Sequence, residues 1–368
     1  MSLAILGVGT ALPATQVTQA EAVKLAERIC CRNQDQAAHL PGLYRQTGIA
    51  TRHLAFGRDV VCDVLEGTRH SGSVFLPREE DGDCGPTTAE RMDHYVREAG
   101  PLALRAAQEA LQDADLSPEQ LTHLVTVSCS GFSAPGVDIE LIKRLELSPK
   151  IERTHVGFMG CHGALNGLRL ARAFTGAIPE SRVLLCAVEL CGLHYHYQWN
   201  PKKLVSNALF ADGAAAIVGA PPKASPAGSW LATASGSCVF PDSEYAMTWN
   251  IGDHGFEMTL ATRVPELIAQ HLRPWLEDWL GQNGLKLAEV ASWAVHPGGP
   301  RILTAVEEAL SLDRDATAVS WEVLAAFGNM SSPTVLFILD RLRRQQAPRP
   351  CVALGFGPGL TAEAALFQ

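Results

Sequence analysis

Apolar positions change their period along this chain, and each change predicts an element. Residues 102–114 carry apolar side chains at helical spacing, and 121–129 (LTHLVTVSC) form an apolar run of strand length. Helical spacing returns over 137–147 and 161–174. Residues 182–189 (RVLLCAVE) are almost continuously apolar, as in a parallel strand covered on both faces. A further strand is predicted over 213–219. The later part repeats the order: a helix over 263–279, a strand over 291–296 (ASWAVH), helices over 301–310 and 333–344, then strands over 351–355 and 360–366. The opening run LAILG, broken by Gly9 and Pro13, reads as a first strand; no basic segment precedes it as in a signal peptide. Residues 20–100 are the least regular. Within them Gly72, Pro77, Gly82, Gly85 and Pro86 punctuate a stretch holding Glu79, Glu80, Asp81 and Asp83, which predicts an exposed loop before a helix from about Thr88.

The spacing repeats as well. Cys129 ends one strand, and Cys161 opens a helix 32 positions later. His296 ends the matching strand, and Asn329 precedes the matching helix 33 positions later. Each part then closes on two strands. Such a repeat implies an α/β fold of two similar halves, 1–221 and 222–368, with a boundary near Pro221-Pro222 and equivalent ends meeting at one central site.

Composition narrows the function. The 368 residues are 47% hydrophobic and 19% charged, a core-rich chain. A net charge of −9 argues against nucleic acid or an anionic membrane as partner. No apolar run approaches the ~18 residues of a membrane span. Ten cysteines, with Cys30 and Cys31 adjacent and no CxxC pair, point to free thiols in a reducing cytoplasm rather than to disulfides or a zinc ribbon.

One or two of those thiols are candidates for chemistry. In GFMGCHGAL, glycines flank Cys161 at a helix start, where the helix N-terminus favours a thiolate. A buried structural cysteine at a tight turn fits the local pattern equally. His296 ends a strand before Pro-Gly-Gly-Pro300, and Asn329 stands in a turn before a helix; taken singly, a packed histidine and an ordinary helix cap explain them. The repeat links all three, and a Cys, His and Asn at one site can perform acyl transfer. Gly7-Val-Gly9 and the glycines of 355–359 fit a dinucleotide loop poorly, and no GxSxG elbow of a serine hydrolase is present. His194 and His196 are compatible with a metal pair, or with one pocket-facing and one packed histidine. Arg45, Arg52 and Arg58 form a solvated face or a phosphate-binding rim.

At these residues the sequence resembles the type III polyketide synthases, the chalcone synthase-like branch of the thiolase fold. The resemblance rests on GFMGCHGAL around Cys161, LFADGAAA around Phe210, AVHPGGPRIL around His296, FGNMSSPTVLFILD around Asn329 and GFGPGLT at 355–361. It implies a thiolase-like fold, two pseudo-symmetric halves in a layered αβαβα core. It implies homodimers acting on acyl-coenzyme A and malonyl-coenzyme A with no metal or redox cofactor. Cys161 would carry the chain as a thiolate paired with an imidazolium at His296. His296 and Asn329 would stabilise the enolate left by malonyl decarboxylation, and Phe210 would guard the channel. Arg52 would meet coenzyme A phosphates.

The departures fall in the pocket. Cys129, Cys191 and His194 stand where the plant enzymes have Thr, Met258 where they have a second gatekeeper Phe, and Trp249 near a cavity-lining Gly; Ser331 joins this pocket set. The segment MTWNIGDHG is similar to bacterial alkylpyrone and alkylresorcinol synthases. It implies medium to long fatty acyl starters, a tunnel on the side of Cys129, Cys191 and Ala134, and pyrone or resorcinol products. The competing readings are a ketoacyl synthase III of fatty-acid synthesis and a non-catalytic thiolase-fold subunit.

Overall fold

The structure is a computed structural model that describes residues 2–78 and 82–368. Glu79, Glu80 and Asp81 of the expected acidic loop lie outside the described residues. The first half opens on β1 (Leu3–Ala11), β2 (Thr15–Thr18), α1 (Gln19–Cys30), α2 (Gln34–Gln46), β3 (Thr51–Leu54) and α3 (Arg58–Glu66). It continues through α4 (Thr88–Asp113), β4 (His123–Ser128), α5 (Val137–Arg144), β5 (Glu152–Gly157), α6 (Gly163–Ala177), β6 (Val183–Leu190), α7 (Pro201–Leu209) and β7 (Asp212–Ala220). The second half begins with β8 (Trp230–Val239), β9 (Met247–Gly252), β10 (Gly255–Leu260), α8 (Val264–Gln282) and β11 (Ser292–Val295). It closes with α9 (Pro300–Leu310), α10 (Ala318–Phe327), α11 (Pro333–Arg344), β12 (Cys351–Gly357) and β13 (Thr361–Phe367).

Nine strands join in the order β11-β12-β13-β8-β1-β7-β6-β4-β5. The repeat is visible in the pairing. β4 runs parallel to β6, which is antiparallel to β7, which is antiparallel to β1. β11, β12, β13 and β8 show the same sequence of directions. A short antiparallel contact between β1 and β8 joins the two sets.

Side-chain alternation builds the layers. On β6, Val183, Leu185 and Ala187 face the helices α6 and α11, while Leu184, Cys186 and Val188 face α4 and α5. On β12, Cys351 and Ala353 face that same middle pair, while Val352 and Leu354 face α8 and α9. Both faces of these strands are covered, which is why they read as unbroken apolar runs. The result is helix, sheet, helix pair, sheet, helix: the expected αβαβα arrangement.

Several elements differ from the sequence expectation. The region 20–100 is not mainly loop: α1–α3 with β2 and β3 form a lobe with its own core of Val17, Leu25, Leu40, Tyr44 and Val61. The capping box of Thr18 and Glu21 starts α1. The helices expected before and after Pro101 are one 26-residue helix, α4. Pro101 lies on its exposed side, where a lost backbone donor costs least. β5, α10 and β8–β10 carry no clear apolar period, and α7 is a short helix of nine residues. β5 is an exposed edge strand, and β8 is rich in Ala, Ser and Gly.

Candidate active site

Cys161 is presented by a turn in unusual backbone geometry. Gly160 has φ +72°, and a Cβ there would lie 2.3 Å from Cδ of Pro358, so only glycine fits. Cys161 occupies the 3-10 turn Gly160–His162 that runs into α6; the helix itself begins two residues later than expected. Its thiol therefore sits at a helix N-terminus. The second half repeats the device. Gly328, also at φ +72°, ends α10 and delivers Asn329, whose backbone pairs on both sides of Phe210 with Leu209 and Ala211 at 2.9 Å. Ser331 follows in the left-handed region at φ +57°, a sparsely populated conformation for serine. His296 is held at the end of β11 by its backbone N–H, which donates to Leu354 O at 2.8 Å.

These turns bring the two halves together. Asn329 and Ser331 stand near enough to the Cys161 sulfur to lower its thiol, and Ser331 Oγ lies 3.4 Å from Cys129 Sγ. The Asn329 amide donates from Nδ2 to Gly298 O at 3.2 Å, in the turn that follows His296. His296 is 1% exposed, and neither of its ring nitrogens has a partner among the described residues.

The electrostatics correct one expectation. Burial pushes the Cys161 thiol up to about 11; Ser331 and Asn329 pull it back, while Glu189 pushes it further. Burial also pushes the His296 imidazole down to about 3, helped by the neighbouring His162. Each group alone is neutral at pH 7, and no hydrogen bond joins Cys161 to His296 here. They can become charged only together, by passage of the thiol proton to the imidazole, which creates no net charge in the buried site.

Of the expected pocket residues, Cys129, Cys191, Phe210, Trp249, Met258 and Ser331 line one cavity of ≈ 30 Å³ with Cys161. Trp249 and Met258 are cross-strand partners on the β9–β10 hairpin. The Trp249 indole donates from Nε1 to Cys129 O at 2.7 Å, which fixes the ring across the cavity. His194 does not line it. Nε2–H of His194 donates to Ser130 O at 2.6 Å, Nδ1 accepts from Phe256 N at 2.9 Å, and the ring stacks on Phe256 at 4.2 Å. Burial holds it neutral, down to about 3. With both ring nitrogens engaged, it ties the hairpin to the body, and among the described residues no cluster of three or more His, Cys, Asp or Glu could hold a metal. All ten cysteines are free. Ala134, expected beside the tunnel, lines a separate surface recess.

Sequence reasoning missed Glu189. It is fully buried at the end of β6 and accepts from the N–H groups of Cys129 and Ser130 at 2.9 Å, from Ser130 Oγ at 2.6 Å and from Ser332 Oγ at 2.9 Å. Burial raises its carboxyl and these donors lower it. The available signal was a glutamate closing an otherwise apolar strand.

The family domain described as "Chalcone and stilbene synthases, N-terminal domain" matches residues 2–222, and the corresponding C-terminal domain matches 231–368. The chain belongs to the chalcone and stilbene synthase family. It is a type III polyketide synthase, an acyltransferase that uses coenzyme A thioesters and no separate cofactor. It is 32% identical over 99% of its length to the "Alpha-pyrone synthesis polyketide synthase-like Pks18" of Mycobacterium tuberculosis, covering 90% of that protein. It is likewise 32% identical over 99% of its length to the "1,3,6,8-tetrahydroxynaphthalene synthase" of Streptomyces peucetius, covering 92% of it. PKS-I from the brown alga Ectocarpus siliculosus superposes with a TM-score of 0.88 at 31% identity, over 100% of this chain and 98% of the other.

In this polyketide synthase, Arg52 is not a phosphate ligand. It is buried, and its guanidinium donates to the carbonyls of Asn207 (3.0 Å), Ala208 (2.8 Å) and Phe210 (3.3 Å) and to Gln19 (3.0 Å). It caps the C-terminus of α7 and so positions Phe210. An outer groove of ≈ 390 Å³ instead opens toward Met258 past Leu209, Gly298 and Gly299, with exposed Lys202 and Arg301 at its sides. Among the described residues neither cation is in an ion pair. No described helix is long and apolar enough to cross a membrane.

Proposed function

We propose that Cys161 carries the acyl chain, and that His296 and Asn329 serve as the two donors that bind the malonyl thioester carbonyl as it becomes an enolate. The observation behind this reading is a thiol at a helix N-terminus with Asn329 and Ser331 beside it, Asn329 being tied through Gly298 O to the turn that follows His296, whose buried ring nitrogens have no partner among the described residues. Buried polar atoms rarely remain unpaired, and a substrate carbonyl and the Cys161 thiol are the partners the chemistry requires. The starter acyl group is transferred from coenzyme A to the Cys161 sulfur. Malonyl-coenzyme A then loses carbon dioxide, and its enolate carbon attacks the Cys161 thioester, expelling the Cys161 thiolate and leaving the extended chain on coenzyme A; transfer of that chain back to Cys161, with release of coenzyme A, readies the next round. Repeated rounds extend the chain before it cyclises. One enolate donor is worth about 3–4 kcal/mol of barrier.

The thioester reaches Cys161 through the outer groove. Lys202 and Arg301, in no ion pair among the described residues, meet the phosphates at its sides, as the net charge of −9 requires of some local basic pair. Starters are medium to long fatty acyl groups and products are pyrones or resorcinols, in keeping with an alkylpyrone synthase-like branch. Three short cysteine side chains and the fixed Trp249 make the cavity narrow and apolar, which suits a straight chain better than a bulky ring. Two copies pair through β5, an edge strand whose backbone has no neighbour on its outer side, beside exposed Phe132 and Met159.

The deciding assay sets octanoyl- and lauroyl-coenzyme A against coumaroyl-coenzyme A, with labelled malonyl-coenzyme A and mass spectrometry of the products. A preference for the fatty starters is expected; a clear preference for coumaroyl would reject the narrow-cavity reading. Sedimentation should show a dimer that Phe132→Glu weakens.

A further inference from the structure

Arg52 is 3% exposed, and its charge is not fully answered. Its terminal N–H groups donate to Asn207 O, Ala208 O, Phe210 O and Gln19 Oε1. The remaining donor, on Nε, is buried with no partner among the described residues. No described carboxylate forms an ion pair with the guanidinium. The C-terminus of α7 that it caps presents only about half a negative charge. Burial pushes the guanidinium down, and the ionisable groups that face it are Tyr44 and Tyr195. Burial also holds both phenols above their ordinary range, so neither supplies the missing charge.

These three residues line a cavity of ≈ 30 Å³, bounded also by Cys191 and His194. The hydroxyls of Tyr44 and Tyr195 are 3.0 Å apart, so one donates to the other and one O–H is left over. His194 is neutral, with both ring nitrogens engaged. The cavity therefore meets a buried cation and two spare donors, one N–H and one O–H. A buried charge without a counter-charge is costly, and a buried donor requires an acceptor.

We propose that this cavity is a binding site for one small monatomic anion, such as chloride, held by Arg52 Nε–H and by the spare O–H of the Tyr44–Tyr195 pair. The volume is that of about one or two water molecules, which suits a halide and excludes phosphate, sulfate and gluconate. A water molecule in its place would accept from Nε–H but leave the positive charge unanswered. Arg52 also holds the carbonyls of Ala208 and Phe210, so the anion steadies the end of α7 and the Phe210 wall of the nucleophile's cavity. The site is independent of which acyl chain the enzyme takes.

Crystals of the full-length wild type grown in sodium bromide test occupancy directly. An anomalous bromide peak beside Arg52 Nε is expected; ordered water there without anomalous signal would overturn the site. In solution, melting curves compare sodium chloride with sodium gluconate at equal ionic strength. Chloride should raise the wild-type melting temperature by about 2 °C, with a saturating dependence on concentration. In Tyr44→Phe combined with Tyr195→Phe, the chloride midpoint should rise about tenfold, as for loss of one hydrogen bond to a charged group. Arg52→Gln should lose the chloride increment altogether. The double phenylalanine variant keeps the guanidinium contacts with α7, so it reports even where Arg52→Gln fails to fold. A chloride effect that is equal in the wild type and the double variant, or that climbs without saturating, would be a general salt effect and would overturn the proposal.

Discussion

Equivalent strand ends are finished differently in the two halves. Two residues beyond the last ladder pair of β4 and β6, Val127 with Ala187, stand Cys129 and Glu189. One residue beyond the last pair of β11 and β12, Val295 with Leu354, stand His296 and Gly355. In the first half the neighbouring strand offers a carboxylate, which gathers the N–H groups of Cys129 and Ser130 and closes the strand end. In the second half it offers a glycine, and both His296 ring nitrogens have no partner among the described residues. Duplication supplied two equivalent ends. One is satisfied by its own strand neighbours; the other leaves buried polar atoms unsatisfied among the described residues, which under the proposed function a substrate completes.

The largest effect should come from removing the group that the open end serves. Cys161→Ala is expected to abolish polyketide formation, with normal far-ultraviolet circular dichroism; ordinary product yield from this variant would refute the nucleophile. Next is the open end itself. His296→Gln should lower kcat/KM by about 10²–10³-fold. It should also change the pH dependence of Cys161 alkylation. The reactive form is the deprotonated one, and burial holds the lone thiol up at about 11, so its fraction grows as pH rises. In the variant the alkylation rate should climb about tenfold per pH unit to pH 10, whereas the wild type, able to pass its proton to His296, should be flatter between pH 6 and 8. Equal slopes would show that the pair never forms.

Asn329→Ala should slow malonyl decarboxylation by about 10²-fold while acyl loading falls much less, because an amide can donate to an enolate oxygen but cannot take a proton from a thiol. Blocked loading with intact decarboxylation would reverse the roles. Lys202→Ala combined with Arg301→Ala should raise KM for malonyl-coenzyme A about fivefold to tenfold with kcat nearly constant, and an unchanged KM would place the phosphates elsewhere. The smallest catalytic change is expected at the closed end. In Glu189→Gln an amide must face donors that a carboxylate accepted, at a cost of about 1–3 kcal/mol. The melting temperature should fall by several degrees, and Cys161 should alkylate faster, because Glu189 pushes its thiol up. A thermally unchanged Glu189→Gln would remove the contrast between the two ends.

Much of this site was legible because the repeat is written in spacing. Cys161 and Asn329 each follow a glycine that reverses the chain, and each precedes a helix; that much is local and visible as letters. Strands such as β6 and β12 announced themselves because burial on both faces demands unbroken apolar runs. The β9–β10 hairpin, α7 and α10 were not visible. The hairpin strands and α10 have weak periodicity and α7 is only nine residues long, and they are held by long-range contacts such as the Trp249 indole on Cys129 O and Lys203 on Glu257.

The sequence by itself determined the α/β alternation and the duplicated order, and it singled out the three candidate side chains Cys161, His296 and Asn329, since these rest on local propensity and on spacing along one dimension. Only the tertiary structure decided which groups are buried and what they meet. It turned Arg52 from a surface cation into a cap for α7 and withdrew His194 from the nucleophile's cavity into a tie. It made Glu189 the anchor of a strand end, and among the described residues it left the His296 ring nitrogens without a partner. Burial and partnership depend on atoms far apart in sequence, and they set both the free-energy cost of a charge and the direction in which a side chain can act.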